Sequence, residues 1–186
     1  SFPERILASF FTAVTPRTAG FNTVDFTKFS DSGLFLQILL MLVGAAPGST
    51  GGGMKITTMS VLLLTSIAIF RNSLRTEAFG RTIPGDVIRN ATTIAFMYLV
   101  LCILSGMFIS LYEKVPLLSA CFETASAIAT VGLTLGITPS LRPVSHLLLI
   151  ALMYIGRVGG LCLIYAVFPN ANPDRGRLVE ENVNVG

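Results

Sequence analysis

The sequence predicts an all-α integral membrane protein built from repeated helix–pore loop–helix units, and three observations lead there. The chain contains itself twice: slid so that Gly20 lies on Gly132, it matches at Ala8/Ala120, Phe10/Phe122, Thr12/Thr124, Ala13/Ala125 and Thr18/Thr130. In the same register, without a gap, Leu36, Ile38, Leu40, Met41, Gly44 and Gly48 fall on Leu148, Ile150, Leu152, Met153, Gly156 and Gly160. Identities sustained in one register mark a duplicated unit. Composition is the second observation, with 52% hydrophobic and only 12% charged residues, against roughly 25% charged in soluble domains. The third is a stretch, 90–111, that carries no charge and has about the length of a bilayer crossing.

Each element follows in order. Residues 2–14 form a short helix opened by Pro3 and Glu4, too short to span a bilayer. Residues 15–23, TPRTAGFNT, are polar and irregular and must turn back; 25–31 is expected as an exposed loop. A helix over 32–70 follows, broken by the Gly-rich run 44–53, because glycines and Pro47 cannot continue it. Residues 71–89 carry Arg71, Arg75, Arg81 and Arg89, which the positive-inside rule places in the cytoplasm. The span 90–111 then runs outward to a loop with Glu113, Lys114 and Pro116, and 117–129 dips back as a second short helix. Residues 130–139 return outward, 145–168 cross inward, and 169–186 form a cytoplasmic tail. The chain thus divides into 1–70, 71–89, 90–168 and 169–186, with both Thr-x-Gly turns facing outside.

These turns carry the first candidate chemistry. Thr18, Ala19, Gly20, Phe21 and Asn22 match Thr130, Val131, Gly132, Leu133 and Thr134 in position. Non-helical backbone at membrane depth is tolerated where protein buries it or where it lines a watery cavity. Backbone carbonyls there can replace the hydration shell of a monovalent cation, and glycine permits the required dihedrals and close approach. The preceding short helix would aim its partially negative C-terminus at the ion. The competing reading is a pair of ordinary membrane turns.

The Gly-rich break is the second candidate: Gly44, Pro47, Gly48, Ser49, Thr50, Gly51, Gly52 and Gly53 are expected to form a mobile plug under the filter, anchored by Lys55, the alternative being a kinked or flexible helix without function. Arg157, the single charge within 144–168, is the third, expected beneath the filter against carbonyls of that loop. Its alternative is a structural ion pair with a carboxylate outside this chain. Glu123 either holds the second short helix in place or raises the local cation concentration. Cys102, Cys121 and Cys162 share no metal-ligand spacing and read as small apolar residues, and His146 as an outer-end residue. No cofactor and no nucleic acid are expected; the net charge of +3 belongs to loops and tail.

TPRTAGFNT, GSTGGGMK, TASAIATVGLTLGITP and MYIGRVG closely resemble the Trk/Ktr/HKT superfamily of potassium transporters, most closely the membrane subunit of bacterial Ktr systems. The resemblance implies four non-identical repeats around one permeation path, of which this chain would supply half of the third and all of the fourth. It implies that Gly20 and Gly132 are filter glycines, that 44–53 is the gating loop, and that Arg157 accompanies the gate. It further implies K+ (or Na+) bound in the filter only, a homodimer, and a cytosolic ring of nucleotide-binding regulatory subunits. The setting would be the bilayer of the bacterial plasma membrane. The chain begins inside a repeat, so a missing N-terminal half, or a homologous chain, is expected to complete the pore. A tetrameric channel of small subunits and a sodium-conducting member of the same superfamily are the alternatives. An intramembrane enzyme is disfavoured, since no nucleophile–base pair or metal set falls in the spans.

Overall fold

The polar punctuation of the sequence sets where each apolar run becomes a helix. The computed structural model describes residues 2–44, 46–49, 51–73 and 75–159; Thr50, Gly160, Cys162 and the tail lie outside them. Helix α1 is Phe2–Val14, with Glu4 in its first turn. Helix α2, Asp31–Leu42, is capped by Ser30, whose hydroxyl accepts the Gly33 N–H at 3.3 Å. Helix α3 is Ile56–Phe70, α4 is Gly85–Glu113, α5 is Leu117–Ile128 and α6 is Pro143–Val158. Single 3₁₀ turns occupy Phe26–Lys28 and Thr138–Ser140. The register that puts Gly20 on Gly132 also puts the first 3₁₀ turn on the second and the start of α2 on the start of α6.

Three boundaries differ from the sequence reading. Residues 25–31 are not simply an exposed loop: Asp25 caps the 3₁₀ turn by accepting the Thr27 N–H at 3.0 Å and hydroxyl at 2.6 Å. These bonds, the hydroxyl's first, hold the Asp25 carboxyl below its usual range. The turn drives Phe26 inward, where it is 3% exposed with its ring 5.8 Å from that of Phe122. Helix α4 begins at Gly85 rather than Asn90, because Pro84 pre-sets the entry and Asp86 complements the helix dipole. Charge had marked Arg89 as loop, yet it rides on the first turns of this helix. Within 71–89, β1 (Glu77–Ala78) pairs antiparallel with β2 (Arg81–Thr82), a small departure from a purely helical chain. Phe79 and Gly80, at φ 51° and 74°, close it as a two-residue turn.

Among the described residues, α4 is the one helix long and apolar enough to cross a membrane, at 29 residues. Helix α2, with 12 residues, and α3, with 15, are each shorter than the roughly 20 needed. The middle of the structure is α5, which packs against α2, α4 and α6, while α3 lies against α4. Phe122, Ala125, Ile128 and Ala129 on and after α5 are wholly buried, and Glu123 is among its buried residues. Small residues permit this: a Cβ on Gly106 of α4 would lie 2.6 Å from Cys121 Sγ, and one on Gly156 of α6 only 1.8 Å from the Ile128 carbonyl oxygen. Lipid offers no hydrophobic drive between helices, so such close approach supplies packing instead. Cys102 is buried and Cys121 half-buried in this contact, as small apolar residues.

Candidate functional site

Helices α1 and α5 both end in a Thr-x-Gly turn. After α5, the Thr130 N–H bonds the Ala127 carbonyl at 3.1 Å and the Val131 N–H reaches back to Ser126 at 2.9 Å. This is the Schellman closure, in which the residue past the cap adopts the left-handed conformation usually left to glycine. Here Thr130 takes it at φ 53°, followed by Gly132 at 87°. After α1 the Gly20 N–H reaches back to Thr15 at 3.2 Å, with Thr18 at φ 64° and Gly20 at 71°. A β-branched residue with positive φ is an outlier, of order 1–3 kcal/mol. Both outliers sit at matched positions in the two copies.

The two turns adjoin: a Cβ on Gly20 would stand 2.2 Å from the Val131 carbonyl oxygen. Val131 and Leu133 bury their side chains while Gly132 between them is exposed, so backbone faces the open side. In the first turn Ala19, Phe21 and Asn22 are exposed, and the Thr15 hydroxyl donates to the Phe21 carbonyl at 2.7 Å. Gln37 of α2 is buried and donates to the Thr12 carbonyl of α1 at 3.3 Å. Neither support was anticipated from the sequence; a buried amide in an apolar helix was the available signal for Gln37. Thr130 to Thr134 line a cavity of about 590 Å³ that extends past Leu149 and Met153 to Arg157.

Between α2 and α3 the chain is pinched at its neck. The Gly44 N–H bonds the Met54 carbonyl and the Met54 N–H bonds Leu42, both at 3.1 Å. Lys55 then folds back, its Nζ donating to the carbonyls of Ser49 at 3.0 Å and Gly51 at 2.8 Å. The loop is tied to both turns. Arg17 donates to the Val43 carbonyl at 2.7 Å, and the Gly52 N–H donates to Thr130 Oγ1 at 2.9 Å. A Cβ on Gly52 would meet Thr130 Oγ1 at 2.6 Å, and one on Gly53 would lie 3.2 Å from Ala129 Cα. Gly48, Pro47 and Ser49 are exposed. The link through Arg17 lay unassigned inside TPRTAGFNT.

Arg157, in the last turn of α6, lines both the cavity beside Thr130–Thr134 and a second one of about 310 Å³. That second cavity is also lined by Ser49, Gly51, Gly53 and Lys55. Arg157 therefore stands where turn and loop meet. Glu123 accepts the hydroxyls of Thr134 at 2.6 Å and Thr138 at 2.8 Å, and the Leu135 N–H at 2.9 Å. His146 Nε2 lies 2.9 Å from the Thr138 carbonyl oxygen, at the end of this segment. Nearby, Glu113 accepts the Arg142 N–H at 2.9 Å and the Ser145 hydroxyl at 2.5 Å. Among the described residues no three His, Cys, Asp or Glu side chains group to hold a metal ion.

Residues 1–172 match the family model described as TrkH, cation transport protein. The chain is 43% identical over 176 residues to a potassium/sodium uptake protein, NtpJ, of Enterococcus hirae, covering 92% of this chain and 39% of that protein. It is 39% identical over 163 residues to the Ktr system potassium uptake protein B of Bacillus subtilis, covering 88% and 37%. The chain thus spans under two-fifths of the length of these relatives. The fold is similar to that in the crystal structure of the potassium transporter TrkH from Vibrio parahaemolyticus, with a TM-score of 0.71 and 22% identity over 83% of this chain and 35% of that one.

Proposed function

Because this chain belongs to the TrkH family of cation transport proteins, we propose that it forms part of the ion-conducting membrane subunit of a potassium uptake system. One observation carries this reading: two short helices end in adjoining turns of the same strained geometry, with Thr18 and Thr130, then Gly20 and Gly132, at positive φ. Strain recurring at matched positions is a mark of function. The backbone of Thr18–Asn22 and Thr130–Leu133 supplies carbonyls in place of ion hydration. The helix ends behind them add partial negative charge. Beneath, the loop 44–53 obstructs the path; Gly52 rests on Thr130 and Lys55 holds the loop's carbonyls. Arg157 adds a positive charge beside the loop, which disfavours a cation until the loop moves.

The remaining walls of the path come from repeats beyond these residues, or from a homologous chain. The resemblance to Ktr subunits extends the proposal to a homodimer under a cytosolic ring of nucleotide-binding subunits, in the bacterial plasma membrane. Sodium is the second candidate cargo, favoured by the 43% identity to a potassium/sodium uptake protein. The test is uptake of labelled potassium and sodium by the transporter assembled in liposomes. Gly132→Ser is expected to lower the potassium-to-sodium preference, since a side chain is strained at φ 87°. An unchanged preference in a correctly inserted variant removes this turn from the filter.

A further inference from the structure

Glu123 borders the cavity beside the second turn, yet its oxygens are taken up by the protein's own donors. It lies on the central short helix and is 4% exposed. Its two oxygens accept from Thr134, Leu135 and Thr138, all donors on the chain segment that leaves Gly132. A carboxylate offers only acceptors, and here hydroxyls and an amide converge on it. The Thr134 hydroxyl also lies 2.9 Å from the Thr138 hydroxyl and accepts the Gly136 N–H at 2.9 Å, so the segment is knitted to itself as well as to α5.

The first copy lacks this device. In the register of the repeat, Glu123 corresponds to Phe11, and Thr134 and Thr138 correspond to Asn22 and Phe26. The first turn is held instead from Thr15 to the Phe21 carbonyl. Beyond the backbone closure at Thr130 and Val131, the segment leaving the second turn is thus tied back to α5 by the Glu123 side chain. The backbone of Val131, Gly132 and Leu133 lies between the helix end and the segment so anchored.

We infer that Glu123 is a positioning residue that sets the ion preference of the second turn through its hydrogen bonds, and not by attracting cations with its charge. This rests on the reading of 130–133 as filter. Its test separates shape from charge. Glu123→Gln removes the charge but keeps an oxygen for the Leu135 N–H and Thr134 hydroxyl, while its amide can meet the rotatable Thr138 hydroxyl. Glu123→Asp keeps the charge but is one methylene short, and Glu123→Ala loses both. Uptake of labelled potassium and sodium is measured on the transporter assembled in liposomes, alongside Gly132→Ser.

Glu123→Gln is expected to keep the parent's preference. Glu123→Asp is expected to lose about tenfold in preference, about 1.4 kcal/mol, as its shortened side chain lets go of the segment. Glu123→Ala is expected to fall at least as far; if it fails to insert, the Gln and Asp variants decide. Preference that follows charge, kept in Asp and lost in Gln, overturns the inference. So does an unmoved preference in all three while Gly132→Ser shifts it. If Gly132→Ser shifts nothing either, the filter reading itself falls and the inference falls with it.

Discussion

Gly20 and Gly132 occupy equivalent positions but answer to different constraints, and that difference can be measured. Both have positive φ, but a Cβ on Gly20 would strike the Val131 carbonyl at 2.2 Å, whereas nothing lies within 4 Å of one on Gly132. Gly132→Ala carries the backbone penalty alone, roughly 1–2 kcal/mol. Gly20→Ala adds a collision between the two turns, so it is expected to reduce both membrane stability and ion preference more than Gly132→Ala. Thermal stability of the purified protein and uptake ratios check this, and equal effects would mean that the turns do not adjoin. Arg157 is the other single-residue case. Replacing it with Ala removes a positive charge that lines both cavities. On the proposed path, Arg157→Ala raises basal uptake, by about tenfold for each roughly 1.4 kcal/mol of barrier removed. Arg157→Lys falls between, because lysine keeps the charge but not the planar fork of donors. A folded Arg157→Ala with unchanged uptake makes Arg157 structural.

The loop between α2 and α3 acts as an element, because several separate contacts fix it. It is pinched at Gly44 and Met54, clasped by Lys55, and seated on Thr130 through the Gly52 N–H. Gly52→Ala places a methyl against the Thr130 side chain at 2.6–2.7 Å, which unseats the loop without touching Gly20 or Gly132. Higher basal uptake with unchanged ion preference is expected; reduced uptake by a correctly inserted variant would make the loop a scaffold instead. The helix break here was legible because Pro and Gly punctuate locally, and the offset of the repeat was legible because identities are local too. The anchor at Lys55 was legible too, but the seating of the loop on the turns was not, since Gly52 meets Thr130, and Arg17 meets Val43, only after folding. The inward turn of Phe26 and the hairpin at Glu77–Thr82 escaped for a related reason. Polar neighbours made each look like exposed loop, and the local capping and turn geometry that orders them left no apolar periodicity to read.

At the scale of the whole molecule, charge and topology together yield a testable expectation of which way the chain lies in the membrane. Arg71 and Arg75 precede the hairpin between α3 and α4, Arg81 lies in its second strand and Arg89 on the first turns of α4, which runs on to Lys114. On the proposed orientation, which follows the positive-inside rule, the Arg-rich end lies in the cytoplasm and the turns after α1 and α5 open toward the outside. Two exposed positions allow a direct test: Phe79 at the hairpin tip is fully exposed, and Lys114 is exposed beyond the far end of α4. With Cys102, Cys121 and Cys162 replaced, a cysteine is introduced at Phe79 or at Lys114 and intact cells are treated with a membrane-impermeant maleimide. Lys114→Cys is expected to react at once, and Phe79→Cys only after the membrane is permeabilised. The reverse pattern would invert the molecule and turn both Thr-x-Gly segments toward the cytoplasm. The loop and Arg157 would then stand on the outer side of the filter, where they could not gate an inward flux from within.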